Sequence, residues 1–197
     1  MKIEIEEQYK MAIDARDKLN DNYYKWMSYY YLANAGIIVS ITNLTKENNP
    51  LTIIFLSLVG VFISMLWNLS CKGYYYWSLS FIKIINKFES QIKIKHDDFV
   101  GVYSIFSKEI AEEKDSIFSI NKPANISTPK LTLIFSFFSI IGWLILSFYE
   151  YYNNFYFECI YYKIILPLIF LFLILSIYYY IIPKYVKSRS ENSHLLI

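Results

Sequence analysis

Three places in this chain bring together residue types that could do chemistry. His96 is followed by Asp97 and Asp98, which are metal-ligand types. Three adjacent residues cannot all converge on one ion, however, and the other histidine, His194, is in the tail. The pattern reads instead as a helix start, capped by Asp97 or Asp98. Cys71 stands beside Lys72, and a neighbouring ammonium favours the reactive thiolate. No histidine pairs with that thiol, so it reads as a small residue at a membrane edge. Glu112, Glu113 and Asp115 form a charge run of the kind that faces solvent. The chain contains no glycine-rich phosphate loop, no HExxH and no GxSxG. These residues therefore predict a non-enzymatic chain that takes no cofactor and no metal. The polar residue that stands out is Asn34, in the middle of an uncharged run. In a membrane it would either cross-link helices or face a water-filled pore.

The elements that would carry these residues are set by composition. Hydrophobic residues make up 55% of the 197 and aromatics 20%, with 20 Tyr and 15 Phe, while only 18% are charged. That balance belongs to a membrane protein rather than to a soluble core. A net charge of +2 is too small to suggest nucleic acid as a partner. The first 25 residues carry eleven charges and no apolar h-region, so no signal peptide is expected.

Residues 1–25 show a partial apolar stripe (Ile5, Tyr9, Ala12, Ile13, Leu19) and predict an amphipathic cytoplasmic helix. Trp26–Thr45 is uncharged for twenty residues but polar for a lipid-facing span, with Ser28, Asn34, Ser40, Thr42 and Asn43. Such a helix belongs inside a bundle, and Ala33, Ala35 and Gly36 would permit close contact. KENNP (46–50) is a turn, with Pro50 opening the next helix. Leu51–Cys71 has no charge over twenty-one residues, long enough at about 1.5 Å per residue to cross a bilayer. Nothing ends the helix at Lys72. Trp77, Phe81, Ile84, Ile85 and Phe88 continue at helical spacing, predicting one helix that leaves the membrane as an amphipathic rod. Phe99, Val102, Tyr103, Phe106 and Ile110 suggest a second helix that folds back on it, and NKPANISTP a loop. Leu131–Tyr149 and Ile164–Ile182 are the third and fourth apolar runs.

The expected fold is all-α: an integral membrane protein with four transmembrane helices and a cytoplasmic helical hairpin that extends from the second and leads to the third. Its divisions are 1–25, 26–71 (spans one and two), 72–130 (the hairpin), 131–182 (spans three and four) and the tail 183–197. Residues 1–25 hold five Lys/Arg, 72–130 nine and the tail three, whereas Lys46 and Lys163 stand alone in the other two connections. The positive-inside rule then places both termini in the cytoplasm. Cys71 and Cys159 would lie on opposite faces of the membrane, too far apart to bridge.

The segment LWNLSCKGYYYWSLSFIKIINKFE resembles the RipA family of small octameric bacterial membrane proteins. The shared pattern is a Leu-Trp pair ending a span, a base, a Tyr, a basic-apolar run, an Asn and a Glu. In this chain these are Leu66, Trp67, Lys72, Tyr74, Lys83, Ile85, Asn86 and Glu89. Lys72 stands where the family usually has arginine, and Tyr75, Tyr76 and Trp77 replace more polar residues. The resemblance implies a bacterial cytoplasmic-membrane homo-oligomer, a ring of eight, and no known reaction.

The residues and the resemblance together predict a homo-oligomeric scaffold or channel-like assembly whose partners are membrane lipids and its own copies. Ser28, Asn34, Gly36, Trp77, Phe81, Ile85 and Phe88 are the candidates for subunit contacts or a pore. An alternative is a ligand-gated membrane effector, as in anti-phage defence, whose cytoplasmic helices sense a small anionic signalling ligand. Lys72, Lys83 and Lys87, with Lys93 and Lys95 beyond them, are the candidates for that ligand or for lipid headgroups. An integral membrane enzyme is the remote third reading.

Overall fold

In the computed structural model, residues 4–44, 49–102, 127–154 and 160–181 are described. They are almost entirely helical. Helix α1 covers Ile5–Leu44 and α2 covers Pro50–Lys95, while α3 covers Thr128–Asn154 and α4 covers Ile160–Ser176. A single π-helical turn, Ile177–Ile181, follows α4 directly. The all-α reading holds. Of these helices, α2 and α3 are long and apolar enough to cross a membrane, and Pro167–Tyr180 forms a shorter apolar stretch.

Local sequence explains the boundaries. Asn49 caps α2, its side-chain oxygen accepting from the Thr52 amide at 3.3 Å, and Pro50 occupies the first turn, where its missing N–H costs nothing. Pro129 plays the same part in α3. At the far end of α2 the His96 amide donates to the Ile92 carbonyl at 2.9 Å, and Lys93 and Lys95 sit where the helix dipole favours cations. Gly73, the weakest helix former along the way, leaves α2 unbroken. Asp97 and Asp98 fall in the turn after α2, and residues 99–101 that follow are not helical, so neither caps a helix start at Phe99 as the sequence suggests. Residues 103–126, which include most of the expected fold-back helix and the acidic run, lie outside the described residues, as do the tail and Cys159.

Helix α2 is the axis on which α1 and α3 pack. Helices α1 and α2 run antiparallel along nearly their whole length. Tyr9 reaches Glu89, Asn20 reaches Tyr74, Tyr30 reaches Ser70 and Asn34 is bonded by Ser64. With 40 and 46 residues, the pair extends roughly 60–70 Å at ~1.5 Å per residue. Among the buried positions of α2, one series steps by four and three: Ile53, Ser57, Gly60, Ser64, Trp67, Cys71, then Ile85, Glu89 and Ile92, with Val61, Met65 and Asn68 beside it. That spacing is the seam of a shallow-angle helix pair.

One difference from the sequence reading follows. Residues 1–25 and the first apolar run are parts of one uninterrupted helix, and it is the N-terminal half of α1 that lies along the extension of α2. Ile85 is covered there by the chain itself, at 0% exposure.

The interface of α2 with α3 is built from small residues. Ser57, Gly60 and Ser64 on α2 meet Thr132, Ser136, Trp143 and Ser147 on α3, all buried. Small side chains let two backbones approach closely, which is how helices gain dispersion energy where lipid supplies no hydrophobic drive. At Gly60 the approach is closest: a Cβ there would stand 2.5 Å from the Trp143 ring.

Candidate functional site

A continuous seam of polar side chains runs through the interior of the three-helix core. Its centre is Asn34, which is buried. The Asn34 amide donates to the Tyr30 carbonyl one turn earlier at 2.9 Å, which fixes the side chain against its own helix. Its oxygen then accepts from Trp143 Nε1 at 2.7 Å and from Ser64 Oγ at 3.2 Å, and Ser139 Oγ lies at 3.4 Å. Ser64 and Ser139 also pair with each other at 2.9 Å. One asparagine thus ties α1, α2 and α3 together.

One turn along α2 from Ser64, toward the α2 extension, Asn68 repeats the arrangement. Its amide donates to the Leu133 carbonyl at 3.1 Å and to Ser136 Oγ at 2.9 Å. Its oxygen accepts from the hydroxyl of Tyr178, in the π-helical turn. The Tyr178 hydroxyl in turn accepts from Lys72 Nζ at 2.9 Å, and the ammonium lies 5.0 Å from the centre of the same ring. Asn68 and Lys72 therefore anchor the end of α4 to the core.

An aromatic cluster lies alongside these centres and continues past Asn68 along the α1–α2 contact. Trp67 is buried, its indole N–H directed at Met27 Sδ, with Tyr31 and Phe135 edge-on at 4.8 and 5.5 Å. Tyr23 and Tyr74 stack at 3.8 Å, and the Tyr74 hydroxyl donates to Asn20 at 2.7 Å. Cys71 is buried against Tyr23 and Met27, closed to any reagent, while Lys72 turns to Tyr178. The sequence reads Cys71 as a small residue at a membrane edge, and the structure places it inside the helix packing.

At the far end of the α1–α2 pair, Glu89 is a buried carboxylate that accepts from the Tyr9 hydroxyl at 3.1 Å. Gly101 closes over it so tightly that any Cβ would strike the carboxylate. Burial, and then the nearby Glu89 charge, push the Tyr9 phenol above its ordinary value of 10.0. The carboxylate thus has a donor in Tyr9 that keeps its proton.

The sequence candidates separate on this geometry. Asn34 faces the interior of its own chain and not an open face. Ile85 is buried likewise. Trp77 is half exposed, and Phe81 and Phe88 are partly covered. Ser28 is exposed and bonds back to the Tyr24 carbonyl at 3.0 Å, and Gly36 faces open space. Lys83 and Lys87 are exposed. Among the motif positions, Trp67, Ile85 and Glu89 are buried, Tyr74 packs on α1, and Leu66 and Asn86 point outward. Among the described residues no group of three His, Cys, Asp or Glu is placed to hold a metal.

Sequence reasoning missed Asn68, Ser64, Ser136, Ser139, Trp143 and Tyr178. A signal was present: Ser136, Ser139, Trp143 and Ser147 recur at helical spacing on an otherwise apolar helix.

The model of the octameric membrane protein family (8xMP) matches residues 6–152, from the first turn of α1 to the last turn of α3. The chain belongs to that family. The 8xMP match contains the whole three-helix core, both asparagine centres and the motif from Leu66 to Glu89 that resembles the RipA family, and it leaves α4 outside. Membership makes this a membrane protein of a family named for its octamers and not for a reaction. No curated protein and no solved structure matches the chain.

Proposed function

We propose that the chain forms a closed homo-oligomeric ring, of eight copies as its family name implies, that acts as a scaffold or channel-like assembly in the bacterial cytoplasmic membrane. One observation carries the reading. The extension of the α1–α2 pair beyond the apolar runs leaves large apolar side chains uncovered, among them Met11, Trp77, Ile84 and Ile94. Lipid acyl chains do not extend past the apolar runs to these positions, and each such side chain gains roughly 1.5–3 kcal/mol when covered. Neighbouring copies related by cyclic symmetry would cover them with one repeated contact. Trp77→Asp with Ile84→Asp is therefore expected to shift the protein toward smaller species in native mass spectrometry from mild detergent. An unchanged oligomer would remove this face from the interface, and monomer alone for the unaltered chain would end the ring.

The ring reading includes four spans with both termini in the cytoplasm, supported by the lysine and arginine distribution. With Cys159 replaced by serine, a membrane-impermeant thiol reagent applied to intact cells should label Asn153→Cys, at the end of α3. It should spare Lys95→Cys, at the end of α2. The reverse pattern would invert the topology.

A second reading, the ligand-gated effector, has its own support. Lys83, Lys87, Lys93 and Lys95 are all exposed on the α2 extension, and no described acid lies within ion-pair distance of any of them. A current in planar bilayers that appears only with an added anionic nucleotide would favour this reading over the scaffold. The integral membrane enzyme gains nothing from the geometry.

A further inference from the structure

Lys72 and Lys130 differ from the other lysines in what surrounds them. Lys72 ends the apolar run of α2, and Lys130 immediately precedes that of α3. Asn68, Lys72 and Tyr75 succeed one another at four and three residues and so share one face of α2. Along that face Asn68 bonds Leu133 and Ser136 of α3, Lys72 bonds Tyr178, and the Tyr75 ring lies 5.8 Å from Lys130 Nζ. Lys72 and Lys130 therefore stand where α2 and α3 meet, each at the end of its helix's apolar run.

Each ammonium rests on a tyrosine ring, and neither has a described carboxylate within ion-pair distance. Lys72 spends one of its three donors on the Tyr178 hydroxyl, whose own proton goes to Asn68. Both rings fix cations without neutralising them. Two cations on aromatic supports, with no counter-ion among the described residues and at the depth where apolar sequence stops, suit an anion at that depth.

We propose that Lys72 and Lys130 form the binding site for the phosphate of an anionic phospholipid headgroup, with Tyr75 and Tyr178 holding the two ammonium groups in place. This singles out Lys72 from the wider lysine set and adds three residues that the sequence did not suggest. It rests on the membrane placement of α2 and α3 and not on the ring. A bound lipid here would also bear on α4, because the Lys72 that meets the phosphate is the same residue that holds Tyr178.

The test is native mass spectrometry of the full chain released from mild detergent, with phosphatidylglycerol or phosphatidylcholine added. The unaltered protein should retain phosphatidylglycerol in preference to phosphatidylcholine. K72Q/K130Q should lose roughly thirty-fold of that retention, the scale that two cations carry at an anionic surface. K83Q/K87Q, which removes the same charge farther along α2, should keep it, and K72R/K130R should largely restore it. Lys130→Gln alone, at a position with no hydrogen bond to lose, should also reduce retention, so the test stands even if Lys72→Gln disturbs Tyr178. Equal loss in K83Q/K87Q, or no loss in K72Q/K130Q, overturns the site. So does displacement of the lipid by an equal concentration of soluble glycerol phosphate, which would make the ligand a free phosphate. The same spectra report subunit number, so the ring and the lipid site fail separately.

Discussion

Replacing Asn34 with leucine is expected to destabilise the three-helix core by about 1–3 kcal/mol. The loss comes from several bonds at once, each worth about 0.6 kcal/mol on average and up to ~1.7 in a membrane protein. The asparagine oxygen is the acceptor for Trp143 Nε1 and Ser64 Oγ. Leucine leaves the indole N–H without its partner, while Ser64 and Ser139 retain each other. Denaturation of the purified chain in mixed micelles, followed by tryptophan fluorescence, measures the change. Trp143→Phe removes the same bond from the other side, so the two changes together should cost clearly less than their sum. Additive effects would mean that the Asn34–Trp143 bond contributes nothing.

Gly60→Val should cost more, about 3 kcal/mol or above, at the upper end of overpacking effects. A Cβ at this position would meet Trp143 Cδ2 at 2.5 Å and Cε2 at 2.7 Å. The ring cannot simply swing aside, since its N–H is bound to Asn34 at 2.7 Å. Either α3 moves off α2 and opens the serine-lined contact, or the indole rotates and the asparagine loses its donor. Gly36→Ala is the matched control. Nothing lies within 4 Å of a Cβ there, and alanine is the better helix former, so the change should be neutral or slightly stabilising. Equal melting of the two variants would show that the close approach at Gly60 is unimportant.

Much of this fold can be read from the chain, and the reasons are physical. The Asn49–Pro50 cap, the unbroken passage of α2 through Lys72 and the apolar run of α3 all depend on local residues. Asn34 stands out for the same reason, being an amide in the middle of an uncharged run. What the chain does not disclose is where such a residue finds its partners. Trp143 lies far along the sequence from Asn34, and only the antiparallel register of α1 with α2 and the serine face of α3 bring them together. The stripe on the α2 extension shows a second limit. Helical spacing marks Trp77, Ile84 and Ile85 as one apolar side, yet the position of α1 buries Ile85 and leaves Trp77 and Ile84 outside. Tyr178 was illegible because its role depends on a π-helical turn, for which IYYYI carries no distinctive signal.

The unbroken course of α1 and α2 has a mechanical consequence. Sharp helix bends arise at prolines, glycine pairs, π-bulges or inserted side chains. Neither helix has an internal proline or a π-bulge where its apolar run ends, and the lone Gly73 is held in a regular helix. Two such rods packed side by side, pinned at Glu89, Asn20, Ser70 and Asn34, resist bending far better than one. A sideways load on the Tyr9–Glu89 end therefore cannot be absorbed at the point where the rods leave the apolar zone. It is passed instead as tilt to the segment of the rods inside the apolar zone, where Asn34 and Trp143 meet, so the pair acts as a lever.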